Sequence, residues 1–205
     1  MALREFYEAR QRILFDFRLK FFSVVSKNKR LLQRLRVPLG FLFAAVFLYF
    51  AKPAPVTLIV GVCVSILGIL IRAWASGHIR KNQNLAVSGP YAFTRNPLYL
   101  GSFLLGVGFT IASGVWWLAL IFVVLFLGIY LPVMRVEAED LTQIFGVDFE
   151  EYKKNVPLFF PRLTAWKKSV EKFDFQLYLR YREYRAAFGL VVAWSVLAAK
   201  ALFFG

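Results

Sequence analysis

Two short stretches of this chain set chemically capable side chains beside turn-formers. The first, Ser88-Gly-Pro-Tyr-Ala-Phe-Thr-Arg-Asn-Pro-Leu-Tyr-Leu-Gly101, carries Tyr91, Arg95, Asn96 and Tyr99 between a Gly89-Pro90 break and an Asn96-Pro97 helix start. Arginine offers a cation able to hold an anionic group, while phenol and amide groups both donate and accept hydrogen bonds. The second, Arg135-Val-Glu-Ala-Glu-Asp-Leu-Thr-Gln-Ile-Phe-Gly146, carries Glu137, Glu139 and Asp140. Carboxylates so placed accept hydrogen bonds from an ammonium or from the ribose hydroxyls of a bound cofactor. Both stretches also have plainer readings. The first serves equally as a turn with an interfacial tyrosine belt and a snorkelling arginine, the second as a helix becoming solvated as it leaves a membrane.

The elements that must position these residues are apolar. Hydrophobic residues make up 59% of the 205, aromatic residues 18%, and the mean hydropathy is +0.58, too apolar for an ordinary soluble domain. The apolar residues fall in blocks over Val37–Ala51, Val56–Ile71, Leu98–Ala112, Val115–Val133 and Ala186–Phe204. A spanning helix needs about 20 apolar residues, so the shorter blocks require their flanks to complete them. The expected fold is all-α, a polytopic helical membrane protein with about five transmembrane helices. The two reactive stretches then fall on connections at one face, the first at the end of a link too long for a simple helix hairpin.

Charge follows the same pattern. None of the 12 acidic residues lies inside a block, as the cost of a charge at the bilayer centre requires. Threading five spans puts every Lys and Arg except Lys52 and Lys200 on one face, which predicts N-terminus and reactive stretches cytoplasmic, C-terminus opposite. The net charge of +14 is thereby assigned to topology and anionic headgroups, not to nucleic acid.

Residues 1–36 lack the apolar core and cleavage site of a removed signal and read as a basic amphipathic segment, interfacial or packed on the cytoplasmic side. The single Cys63 excludes an intrachain disulfide, and with one histidine, His78, no metal site is expected. The Gly-rich and nucleophile motifs GxGxxG, GxxxxGK[ST] and GxSxG are absent in their required contexts. Gly106 and Gly108 read as close helix packing. The organisation expected is 1–36 as N-terminal segment, 37–165 as a four-span core, and 166–205 as linker and last helix, with Tyr178–Tyr184 an interfacial anchor.

Taken together in order, Gly89-Pro90-Tyr91, Arg95-Asn96-Pro97, Tyr99 and Gly101, then Glu137, Phe145-Gly146, Tyr152, Val156-Pro157 and Pro161-Arg162, resemble the isoprenylcysteine carboxyl methyltransferase and phospholipid methyltransferase group of integral membrane enzymes. The resemblance covers residues 55–165. It implies methyl transfer from S-adenosylmethionine to a lipophilic or lipidated acceptor at the cytoplasmic face, with the cofactor held by the connections. It also implies Gly89, Pro90, Tyr91 and Pro97 as cofactor wall, Arg95, Asn96 and Tyr99 as polar contacts, and Glu137 and Glu139 as partners of the ammonium or ribose. His78 corresponds loosely to a histidine upstream of the signature. Arg95 and Glu137 are the expected catalytic pair.

The chain departs from the family pattern twice. Asn96 stands where many members have histidine; it still hydrogen-bonds but cannot take a proton. Ala138 interrupts the usual acidic pair, and because helix positions two apart point to different faces, Glu137 is favoured, with Asp140 sharing its face. A sulfonium methyl chiefly needs an aligned nucleophile, so positioning is the main catalytic demand. An ionised carboxylate acceptor needs a holding cation such as Arg95 or Arg162, whereas an amine needs a base. The expected acceptor is a prenyl-cysteine-like carboxylate, with a phospholipid or other small-lipid amine or oxygen as alternative. A non-catalytic scaffold or small transporter is the alternative of another class. Oligomeric state has no signal in the sequence.

Overall fold

The computed structural model describes residues 38–80, 84–167 and 171–204; the basic segment expected over residues 1–36 lies outside them. The described residues are helical and contain no strand. In chain order the main helices are α1 (Pro38–Phe50), α2 (Pro55–Ser76), α3 (Pro97–Ala112), α4 (Trp116–Phe145), α5 (Val147–Asn155), α6 (Phe175–Arg180) and α7 (Tyr184–Phe204). Proline sits in the first turn of α2 and α3, where its missing N–H would have had no partner anyway.

Five apolar helices occupy the places of the five expected spans. Three of them, Pro55–Ser76, Trp116–Phe145 and Tyr184–Phe203, are long and apolar enough to cross a membrane; α1 and α3 are shorter. The side chains of Ile59, Leu67, Leu70, Val124 and Val191 point outward, a surface suited to hydrocarbon. At 1.5 Å per residue the 30 residues of α4 extend about 45 Å, beyond the roughly 30 Å of a bilayer core. The surplus carries Glu137, Glu139 and Asp140 out of the apolar region without a break in the helix.

α2 and α3 pack antiparallel through small residues. A Cβ on Gly68 would lie 2.7 Å from the Gly101 carbonyl oxygen, and one on Gly61 would collide with the Gly108 carbonyl. Gly106 instead faces the Phe122 ring of α4. At the end of the molecule away from the reactive stretches, Phe47, Ala51, Ala112, Leu118 and Leu197 form one core. There Lys200 donates to the carbonyls of Leu48 and Tyr49, tying α7 to the last turn of α1. Phe126, Met134 and Phe159 form a second core beneath Tyr99 and Tyr130. Phe149, Tyr152 and Val156 form a third, closed by Leu85, Ala138 and Leu141. These last two cores frame the site.

Candidate active site

A 3-10 turn over Gly89–Ala92 starts the first reactive stretch. Gly89 has φ +55°, a conformation that favours glycine, and a Cβ there would lie 2.7 Å from the His78 ring. His78 is buried beneath the turn, its Nδ1 2.9 Å from the Trp74 carbonyl; since a carbonyl only accepts, Nδ1 carries the proton. From Ala92 onward the stretch is clasped by residues 157–166. The Arg95 amide donates to the Pro157 carbonyl at 3.0 Å, and the Asn96 side-chain amide to the Leu158 carbonyl at 2.9 Å. The Thr94 hydroxyl donates to the Phe159 carbonyl at 2.8 Å, and the amides of Arg162 and Trp166 to the carbonyls of Phe93 and Ala92, each at 3.0 Å. From α5, the Tyr152 phenol donates to the Tyr91 carbonyl at 2.7 Å. Val156-Pro157 and Pro161-Arg162 therefore work as the clamp that fixes Tyr91 to Asn96.

The stretch held by that clamp forms one wall of a cavity of about 540 Å³, within the range of small-molecule and cofactor sites. Tyr91, Arg95, Asn96, Pro97 and Tyr99 line one side, and Glu137, Asp140 and Tyr130 of α4 line another. The two reactive stretches touch directly, for the Tyr99 hydroxyl donates to Glu137 Oε1 at 2.9 Å. This bond orients the carboxylate, and the Tyr130 ring, 5.3 Å from that of Tyr99, backs it. Two polar atoms of the same wall, Tyr91 Oη and Arg95 Nε, are buried with no hydrogen-bond partner among the described residues. Buried donors seldom remain unmatched in a folded protein unless a ligand or water takes them. Burial lowers the Arg95 guanidinium from its ordinary value, with Tyr152 and Glu150 opposing. Burial raises the phenols of Tyr91 and Tyr152, so both stay protonated donors at neutral pH.

Not every expected site residue reaches the cavity. His78, Gly89, Pro90 and Glu139 are not among its lining residues. His78 and Gly89 instead pack on each other, and Pro90 sets the turn. Glu139 is two positions past Glu137, so the helical rotation carries it to another face, while Asp140 at i+3 returns to the cavity. Asn96 lines the cavity with its amide committed to Leu158, a clamping contact that needs no titration.

Arg72, Ser102 and Tyr130 also line the cavity and were not singled out from sequence. Arg72 lies in what reads as the end of an apolar span, and its partner is 111 residues away: Glu183, in the turn before α7. Only Gly101 hints at it. A Cβ at Gly101 would lie 2.5 Å from Arg72 Cγ, so the glycine opens the path by which the arginine crosses α3.

A helical membrane-type chain, with a polar cavity at one end formed by an R-N-P turn and a carboxylate-bearing helix extension, is the class that the fold and site define. Residues 56–148 match the phospholipid methyltransferase family. The matched segment holds both Arg95 and Glu137. The chain is 34% identical over 118 residues to the cobalt-zinc-cadmium resistance protein CzcN of Cupriavidus metallidurans, covering 56% of this chain and 53% of that protein. It is also 34% identical over 110 residues to the nickel-cobalt-cadmium resistance protein NccN of Alcaligenes xylosoxydans xylosoxydans, covering 51% of each. The chain thus spans about half the length of these relatives. No solved structure matches it significantly.

Proposed function

We propose that this chain is an S-adenosylmethionine-dependent methyltransferase acting on a lipophilic acceptor at the cytoplasmic face of the membrane. The observation that carries the proposal is the single cavity lined both by Arg95 and Tyr91, with their unpartnered buried atoms, and by Glu137 held by Tyr99. The donor set fits the cofactor. Glu137 and Asp140 offer acceptors to an ammonium and to ribose hydroxyls, and Tyr91 Oη and Arg95 Nε offer donors to a carboxylate.

The cofactor supplies a methyl group already activated on a sulfonium, so the protein's work is alignment and exclusion of water. The clamp on residues 92–96 fixes Arg95, which holds the anionic group that enters the cavity. Tyr99 fixes Glu137 through the phenolic O–H. Phe103, Phe126 and Phe159 pack beneath this wall and keep it dry on the apolar side. An apolar acceptor tail would pass between helices, with its reactive group at the polar end.

The acceptor we favour is a prenyl-cysteine-like carboxylate, which arrives ionised and needs a cation in place of a base. A phospholipid amine is the second reading, favoured by the phospholipid methyltransferase match and by the carboxylates in the wall; there Glu137 would take the amine proton. The relatives' names concern metal resistance, and among the described residues no three His, Cys, Asp or Glu side chains form a metal-holding group, so the reading assigns no metal ligand. Supplying methyl-labelled cofactor to membranes that contain the chain, together with a farnesyl-cysteine analogue, tests the proposal. Label in a base-labile ester supports the carboxylate acceptor, and base-stable label in lipid supports the amine. A scaffold or transporter would leave both unlabelled.

A further inference from the structure

Three arginines line the cavity. Arg80 is exposed and its Nη2 lies 3.9 Å from Asp174 Oδ2, while the surroundings of the two more buried ones, Arg72 and Arg95, differ in a way that assigns them different work. Arg72 is nearly spent on the protein. Its Nε donates to Glu183 Oε2 at 3.1 Å, and its Nη2 lies 2.9 and 2.8 Å from the two oxygens of the same carboxylate. Its Nη1 donates to the Ser102 hydroxyl at 2.5 Å and approaches the Leu98 carbonyl at 3.4 Å. Every guanidinium nitrogen of Arg72 therefore carries a protein partner, whereas Arg95 Nε has none among the described residues. The Arg72–Glu183 pair is also largely shielded, with side chains 19% and 14% exposed, so solvent weakens it little.

Glu183 comes from outside the segment that matches the family, which ends at residue 148. It sits in the turn between α6 and α7, where Arg182 takes the left-handed φ of 56° that non-glycine residues rarely adopt. The approach to that turn is fastened as well. The Ser88 hydroxyl donates to Glu171 at 2.8 Å, Phe173 packs on Gly77 and His78, and the Asp174 amide donates to the Gly77 carbonyl at 3.0 Å. Asp174 in turn caps the first amides of α6.

We propose that Glu183 is a positioning residue of the cavity: by engaging Arg72 bidentately it fixes that guanidinium against α3 and leaves Arg95 as the arginine that offers the ligand a buried free donor. The C-terminal helix is then part of the site and not an appended anchor. Without Glu183, a second mobile cation would enter the wall and compete with Arg95 for the ligand's anionic group. This inference rests on the methyl-transfer reading.

The test titrates S-adenosylhomocysteine into the whole chain in detergent, comparing the parent with Glu183→Gln, Glu183→Asp and Arg72→Lys, with near-UV dichroism and thermal midpoints recorded on each. The expected result is about tenfold weaker binding for Glu183→Gln and Arg72→Lys, measured where both keep the parental spectrum, with Glu183→Asp recovering part of the loss. A pair that served stability alone would lower the midpoints and leave affinity unchanged, and that result overturns the proposal. If Glu183→Gln does not fold, the charge-preserving Arg72→Lys decides alone, parental affinity again overturning it. Failure of the parent to bind contradicts the methyl-transfer reading itself, a distinct outcome.

Discussion

Arg95 and Glu137 are held by different means, and the difference predicts how their neighbours respond to substitution. Glu137 is oriented by one phenolic hydrogen bond, so Tyr99→Phe removes an interaction with a charged group worth about 1.5–3 kcal/mol and should slow methyl transfer about tenfold or more with the fold intact. Arg95 is held through its backbone amide on Pro157, which leaves its side-chain Nε without a partner among the described residues and available to the proposed ligand. Arg95→Lys keeps the charge but loses the planar fork, and binding should not recover to the parental level. Tyr152 yields a prediction in pH. Its folded pKa is raised above the ordinary 10.0 by burial, so the folded state retains a proton that the unfolded chain loses above that value. The resulting stability is full below pH 10 and declines as pH rises beyond it. Thermal midpoints followed from about pH 8 to about pH 11 should fall at the alkaline end, and Tyr152→Phe should flatten that fall while forfeiting the bond to Tyr91.

The helices were largely legible because apolar blocks need no partner to be recognised. Val56–Ile71 grew into a helix reaching Ser76, and Val115–Val133 into one that runs past Pro132 to Phe145. Both extensions follow from backbone continuity, since a helix leaving the bilayer keeps its ladder until a glycine or a turn ends it; Gly146 at φ 54° does so for α4. The short α5 and α6, of nine and six residues, are too brief for an apolar block to mark them. Close approaches leave a fainter signal still. Gly89 was readable as a turn, but that His78 fills the space beneath it is a fact of three dimensions. Gly89→Ala should therefore destabilise the protein twice over, by about 1–3 kcal/mol of backbone strain and by collision with the ring. In a double-mutant cycle with His78→Ala the collision should disappear and the strain remain, measurable as non-additive denaturation midpoints.

Over the molecule, the candidate site was legible to the extent that it is local. Tyr91, Arg95, Asn96, Pro97, Tyr99 and Glu137 share a cavity, and each belongs to a motif read along the chain. Arg72–Glu183 and the clamp of residues 157–166 on 92–96 are long-range pairings whose members look ordinary in sequence, and only the packing of α2, α3 and the C-terminal turn joins them. The same packing separates the charges. Lys52 and Lys200 lie at the end opposite the cavity, while Arg80, Arg95, Lys153, Lys154 and Arg162 lie around the cavity end, the distribution that the proposed cytoplasmic site would require. With Cys63 replaced, a cysteine at Lys52 should react with an impermeant maleimide in intact cells and one at Lys154 should react only after lysis. The reverse labelling would invert the proposed topology.

Direct calorimetric titration of the purified chain with S-adenosylmethionine, in parallel with Arg95→Ala and Glu137→Ala, bears most closely on the claim that both reactive stretches form one cofactor cavity. The account predicts saturable one-to-one binding by the parent and at least about a tenfold loss in each variant that keeps its fold. A folded parent that binds nothing, or folded variants that bind as the parent does, would contradict it.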